Sequence, residues 1–177
     1  VEWWMNPKSL KNYNQTISGL SDWGSFRFHT TANGEIYVGT ANDNTRFTPA
    51  NNMGAGTVQL NKWQHFAFTY DNGSAKFYKN GKLLASKTGM TASGNWTGLY
   101  VSMTTAGSDG LFAGTIDELR VWKTARTITE IKDNIMISVQ PNADLVAYYN
   151  FNDKTATDNS GNGKDALFYL PLPLCFL

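Results

Sequence analysis

Along most of the chain, polar and apolar residues alternate in short runs, and Asn-Gly pairs break the runs apart. Asn33-Gly34 separates residues 25–31 from 35–40, Asn72-Gly73 separates 63–71 from 74–79, and Asn80-Gly81 separates that run from 82–87. Asn-Gly adopts the positive φ angles of two-residue hairpin turns, so each pair predicts an antiparallel hairpin. Further strands are predicted at 1–5, 99–104, 111–122 and 145–151, with 57–60 as a short additional candidate. Residues 12–21 and 41–57 read as loops. One segment leaves the two-residue period. Thr127 and Glu130 have the spacing of a capping box, and Ile128, Ile131 and Ile135 then share one face. This predicts a short helix over 128–134, with Pro141 closing the connection into the last strand. The pattern as a whole is all-β and antiparallel, with one short helix near the C-terminal third.

Composition narrows the class. The 177 residues suit one domain able to bury its core without staples. Aromatic residues make up 14%, which favours strands. Charged residues are only 16%, so Asn, Thr, Ser and Gly must cover the surface, a habit of secreted β-proteins. A net charge of +1 without a basic block excludes a nucleic-acid binder. Cys175 is the sole cysteine, which excludes an intrachain disulfide and a Cys-based zinc site. The domain is expected to occupy 1–166. Residues 167–177 form an apolar tail with Pro171 and Pro173, about half the ~20 residues of a membrane helix, so no span is expected. The chain opens in mid-strand with no visible leader, and a trimmed N-terminus is expected.

Several motifs then carry a resemblance. Trp63-Gln64-His65-Phe66-Ala67-Phe68-Thr69-Tyr70 followed by Lys76-Phe77-Tyr78-Lys79-Asn80-Gly81-Lys82 resembles the central hairpin of laminin G-like, concanavalin A-like jelly-roll domains. Phe112 to Trp122 is similar to their most recognisable strand, and Thr124 to Ile131 to the helix after it. Val1 to Pro7 is similar to an early strand. Leu145 to Phe151 with Asp158 to Gly163 resembles a segment of bacterial surface proteins. The likeness covers about residues 1 to 165, without the family's opening strands. It implies a two-sheet jelly-roll sandwich located outside the cell or on its surface, of bacterial type. It implies binding of polysaccharide or glycoprotein glycans, or of a protein partner, with calcium as a candidate ion. Fold alone does not select among these.

The candidate residues follow. On an alternating strand Asp117 shares a face with Thr115, Leu119 and Val121. If that face is the core, Asp117 is an inward acid needing a partner. Two readings stand: a calcium ligand, or a carboxylate accepting backbone N–H groups. Asp158 opens a loop rich in oxygen ligands, but the missing alternating acids and final glutamate favour a plain turn over a calcium loop. Trp23 and Trp96 sit in loop-like settings and are candidates to stack on a sugar ring, against the alternative that they close the sandwich end. Tyr13, Tyr37 and Arg46 are weaker candidates of the same kind. Trp63 is assigned to the core, Trp122 to the core or the helix, and Glu118 with Arg120 to a surface ion pair. His65 reads as a hydrogen-bonded core or corner residue, and His29 as isolated. No strand carries alternate carboxylates of the Glu-x-Asp-x-Glu kind found in the family's glucanases, which argues against catalysis. The sequence therefore points to a non-catalytic binding module, with carbohydrate as first ligand and a structural or protein-binding spacer as the alternative.

Overall fold

The computed structural model describes residues 1–11, 14–19, 26–39, 46–90, 98–101 and 112–167. Among them run β1 (Glu2–Ser9), β2 (Asn14–Gly19), β3 (Arg27–Thr30), β4 (Ile36–Gly39), β5 (Arg46–Phe47) and β6 (Gln64–Asp71). There follow β7 (Ser74–Lys79), β8 (Lys82–Lys87), β9 (Leu99–Val101), β10 (Ala113–Trp122), α1 (Ile128–Asn134) and β11 (Leu145–Tyr149). They form two antiparallel sheets, one ordered β11-β10-β1-β6-β7-β8 and one ordered β5-β4-β3-β2-β9. The jelly-roll sandwich expected from the sequence is the fold observed.

The core lies between the sheets. Trp3, Met5, Phe66, Phe68 and Phe77 from the larger sheet meet Ile17, Phe28, Val38 and Phe47 from the smaller one, all 3% exposed or less. The ring of Phe28 bridges the layers, 4.8 Å edge-on from Trp3 and 5.3 Å from Phe66. Aromatic pairs at such separations add about 0.5–1.5 kcal/mol each beyond their buried area.

Two Asn-Gly turns behave as two-residue hairpins, with positive φ at Asn72 and Gly73 and at Asn80 and Gly81. The third does not. At Asn33-Gly34 only Gly34 has positive φ, and Thr31 N donates to Glu35 O across a three-residue loop. A type I turn followed by a left-handed glycine makes such a loop. The helix forms as predicted: Thr127 Oγ1 accepts from Glu130 N, and the Glu130 carboxylate accepts from Thr127 N.

Several expectations are corrected. Asn14–Gly19, read as loop, is β2, and residues 46–47 inside the second expected loop are β5. The run 57–60 is not a strand. Trp63 is 45% exposed rather than core. The strand begins at Gln64, whose parity with Phe66 and Phe68 makes that set the inward face, so Trp63 falls on the other side. The alternation assumed for β10 breaks at Glu118, which has φ of +50°. Trp4 pairs with Asp117 but Glu2 pairs with Arg120, so two residues of β10 oppose Trp3 alone. This is a β-bulge. It lets Ile116 and Leu119, three apart, both face the core, and it sets Asp117 on the outer face beside Trp4. Arg120 is 1% exposed, so the Glu118–Arg120 pair is buried rather than superficial. α1 and the segment after it cover that part of the sheet: Arg120 donates to Asn134 O and Ile137 O.

Candidate functional site

The outer face of the five-stranded sheet brings together two residues expected from the sequence and two that were not. On β3, Phe28 faces the core, so Arg27 and His29 face out. On β4, Ile36 and Val38 face in, so Tyr37 and Gly39 face out. On β5, Phe47 faces in and Arg46 out. Register does the rest. His29 stands opposite Tyr37, while Arg27 and Arg46 stand on either side of Gly39.

The side chains meet accordingly. The His29 and Tyr37 rings stack 4.8 Å apart at 16°, and the Arg46 guanidinium lies 5.2 Å from the Tyr37 ring centre. Tyr37 is thus flanked from both neighbouring strands. A ring contacted on both sides offers a ligand its edge and hydroxyl rather than a bare face. His29 is 8% exposed, and burial, then Arg46, then Arg27 lower its pKa to about 4. It is a neutral imidazole at pH 7, with both a donor and an acceptor nitrogen. Tyr100 on β9 shares this outer face, opposite Ser18. His29 and Arg27 were missed because their role depends on which residue of β4 they oppose.

Gly19, Arg27, Gly39, Arg46 and Leu99 stand at one end of this sheet. They flank, in sequence, residues 20–25, 40–45 and 91–97. Trp23 and Trp96 belong to these stretches, and they and Tyr13 lie outside the described residues.

The two candidate metal ligands lie elsewhere. Asp158 is buried and accepts from Tyr148 N, Ser160 N, Ser160 Oγ and Lys164 N at 2.8–3.0 Å. Burial opposes ionisation, but these four bonds outweigh it and lower the pKa of its carboxyl. All its acceptor capacity goes to closing the turn. Asp117 is half-buried and accepts from Glu118 N at 2.8 Å, with burial raising the pKa of its carboxyl. No three His, Cys, Asp or Glu side chains gather to hold a metal among the described residues.

A buried polar cluster sits under α1. Arg120 contacts Glu2 and Glu118, Trp122 Nε1 donates to Glu2 Oε1 at 2.9 Å, and Tyr148 Oη donates to Glu118 at 2.7 Å. His65 is 3.6 Å from Glu2 but its pKa is lowered to about 3 by burial, then by Arg120 and the terminal amine. That contact is therefore not an ion pair at neutral pH. The cluster is largely buried and fastens the helix. Beside it, Val1, Thr69, Val121, Trp122 and Arg126 line a recess of about 250 Å³, smaller than the ~300–1,000 Å³ of small-ligand pockets. Among the described residues no helix is long and apolar enough to cross a membrane.

Comparison with known proteins agrees with this fold. The family profile described as the concanavalin A-like lectin/glucanases superfamily matches residues 1–132. A candidate carbohydrate binding protein from Bacteroides ovatus superposes with a TM-score of 0.74 at 20% identity, over 91% of this chain and 49% of its own. Domain 4 of AbnA, a GH43 extracellular arabinanase from Geobacillus stearothermophilus solved with arabinotriose, gives 0.56 at 24% identity, over 75% and 63%. The SAP-like pentraxin of Limulus polyphemus gives 0.52 at 12% identity, over 74% and 66%. The chain thus spans between half and two thirds of these structures. No curated protein sequence matches it.

Proposed function

This chain belongs to the concanavalin A-like lectin/glucanases superfamily, and from that membership we propose that it is a non-catalytic, extracellular module that binds carbohydrate on the outer face of its five-stranded sheet. One observation carries the reading: Tyr37 is held between His29 and Arg46 on the outer face of the five-stranded sheet, while the helix packs on the other sheet. An aromatic edge flanked by hydrogen-bonding groups suits a sugar, whose rings alternate C–H surface with hydroxyls. The structural likeness to a carbohydrate-binding candidate and to an arabinotriose-bound arabinanase domain supports the ligand class.

Sequence also supports the absence of catalysis. A retaining glycosidase needs two carboxylates about 5 Å apart across the bond it cleaves, and none of the five strands of this sheet carries an Asp or Glu. In this reading Tyr37, His29 and Arg46 contact the sugar directly, without a bridging ion.

Calorimetric titration against a panel of soluble polysaccharides, with calcium and then with chelator, tests the proposal. Binding is expected in both conditions, and Tyr37→Ala is expected to weaken it about tenfold. Binding that ignores Tyr37→Ala would move the site off this face, and a folded protein that binds no glycan would refute the proposal.

A further inference from the structure

We infer that the opposite outer face, on the six-stranded sheet, carries a second glycan site built on Trp63, Asn6, Thr115 and Asp117, so that one module bridges two polysaccharide chains. The inference rests on the reading of the module as a glycan binder and adds a site to it. Trp63 is 45% exposed. A lone exposed ring needs no explanation, but the neighbours of this one give it a use. β1 turns Trp3 and Met5 into the core, so Trp4 and Asn6 face out. Trp4 pairs with His65 and Met5 with Gln64, so the next step of that register sets Asn6 beside Trp63. On its other side Asn6 pairs with Thr115, and Trp4 with Asp117. Trp63, Asn6 and Thr115 therefore form one outward row across three strands, about 10 Å long, with Asp117 at its corner.

This row is open where the adjoining one is closed. In the adjoining row His65 is 1% exposed and Trp4 Nε1 donates to Ile135 O, so the end of α1 covers it. Trp63 and Thr115 stay exposed, and Asn6 is partly so. Among the described residues the side chains of Trp63 and Thr115 engage no hydrogen-bond or ring partner. Asn6 Oδ1 is buried without a partner, which leaves the amide nitrogen as the end turned to the surface. Asp117 accepts from Glu118 N through Oδ1, and its other oxygen is uncommitted. The row thus sets an indole face, a donor, a hydroxyl and an acceptor on one surface. A sugar presents C–H patches and hydroxyls in the same mixture. A protein-docking patch has an apolar centre and a polar rim, whereas here the ring stands at one end and polar groups fill the rest. The sites of Tyr37 and Trp63 look away from each other, with both sheets and the core between them. No short oligosaccharide reaches both, so a polysaccharide at each ties two chains together.

Calorimetry with arabinotriose, cellotetraose, xylotetraose and mannotetraose counts the sites, and light scattering with arabinan, hydroxyethylcellulose, xylan and galactomannan reads bridging. Two sites per chain are expected over the panel. Trp63→Ala should weaken one of them about tenfold, and Tyr37→Ala the other. Asn6→Ala should weaken the Trp63 site alone, and its thermal midpoint should match wild type because the lost oxygen has no partner. The polysaccharide that binds should scatter with wild type, clear with excess module, and not scatter with either aromatic variant. Binding and scattering unchanged in both Trp63→Ala and Asn6→Ala would overturn this inference and leave the Tyr37 site standing. Self-association in sedimentation that Trp63→Ala abolishes, with glycan binding untouched, would overturn it by assigning Trp63 to a protein interface. Loss of all binding in Trp63→Ala, with Tyr37→Ala silent, would overturn the bridging and the Tyr37 site together. Absence of all glycan binding overturns both readings.

Discussion

Replacing Arg120 with Ala should cost more stability than any single change on the surface. The guanidinium is 1% exposed and serves four acceptors. Nη1 donates to Asn134 O at 2.9 Å and lies 3.5 Å from Glu2 Oε1. Nη2 donates to Ile137 O at 2.6 Å and to the Glu118 carboxylate. The group also lies 5.4 Å from the Tyr148 ring centre. Asn134 ends α1, so Arg120 supplies donors that the helix terminus lacks. Truncation strands these carbonyls and leaves two carboxylates without their cation. Removing one member of a buried pair costs about 3–5 kcal/mol, which for a chain of this size lowers the midpoint of thermal unfolding by about 8–15 °C. Urea denaturation measures it. Arg120→Lys keeps the charge but cannot reach four acceptors, so it should fall between wild type and Ala. Glu118→Gln placed on Arg120→Ala should recover at least about 1 kcal/mol, because it removes one stranded charge. A loss below about 1 kcal/mol for Arg120→Ala, the worth of an exposed pair, would refute the reasoning.

Three further outcomes are expected. Stability should fall as pH drops from 6.5, because the folded pKa values of His29 and His65 lie near 4 and 3 while the unfolded chain binds protons at the ordinary value. Their contribution is complete above pH 6.5 and is lost toward those folded values, at most about 2 kcal/mol per histidine by pH 5, and a urea midpoint that is flat from pH 7.5 to 5 would contradict it. Gly34→Ala should cost at least about 2 kcal/mol, since Gly34 has φ of +76° and a Cβ there would lie 2.4 Å from Val58 O; Gly56→Ala, with φ of +78° but open space, should cost clearly less in the same calorimetric scan. Asp158→Ala should free the Tyr148 and Lys164 amides and cost about 1–3 kcal/mol, with hydrogen exchange rising first at Tyr148 N; unchanged exchange there would show that the carboxylate does not close the loop.

The parts of the fold legible in the sequence were those set by local chemistry. Two Asn-Gly hairpins, the capping box and the strands they bound follow from residues a few positions apart. What stayed hidden depends on partners far along the chain. β2 carries one core residue, Ile17, among polar neighbours, and only pairing with β3 and β9 makes it a strand. The bulge at Glu118 has no glycine to announce it, yet it turns Asp117 onto the outer face beside Arg120, where strict alternation would set the two on opposite faces. The same sensitivity built the candidate site. A two-residue turn at Asn33-Gly34 would set Ala32 opposite Glu35, and therefore His29 opposite Val38 and Phe28 opposite Gly39. The observed three-residue loop shifts the register by one, so that His29 meets Tyr37 and Phe28 meets Val38. The shift is forced by the core, since the two-residue register would pair outward His29 with inward Val38. The face that gathers Tyr37, His29 and the two arginines therefore follows from burying Phe28 against Val38 and Phe47, and it could be read only once that core was known.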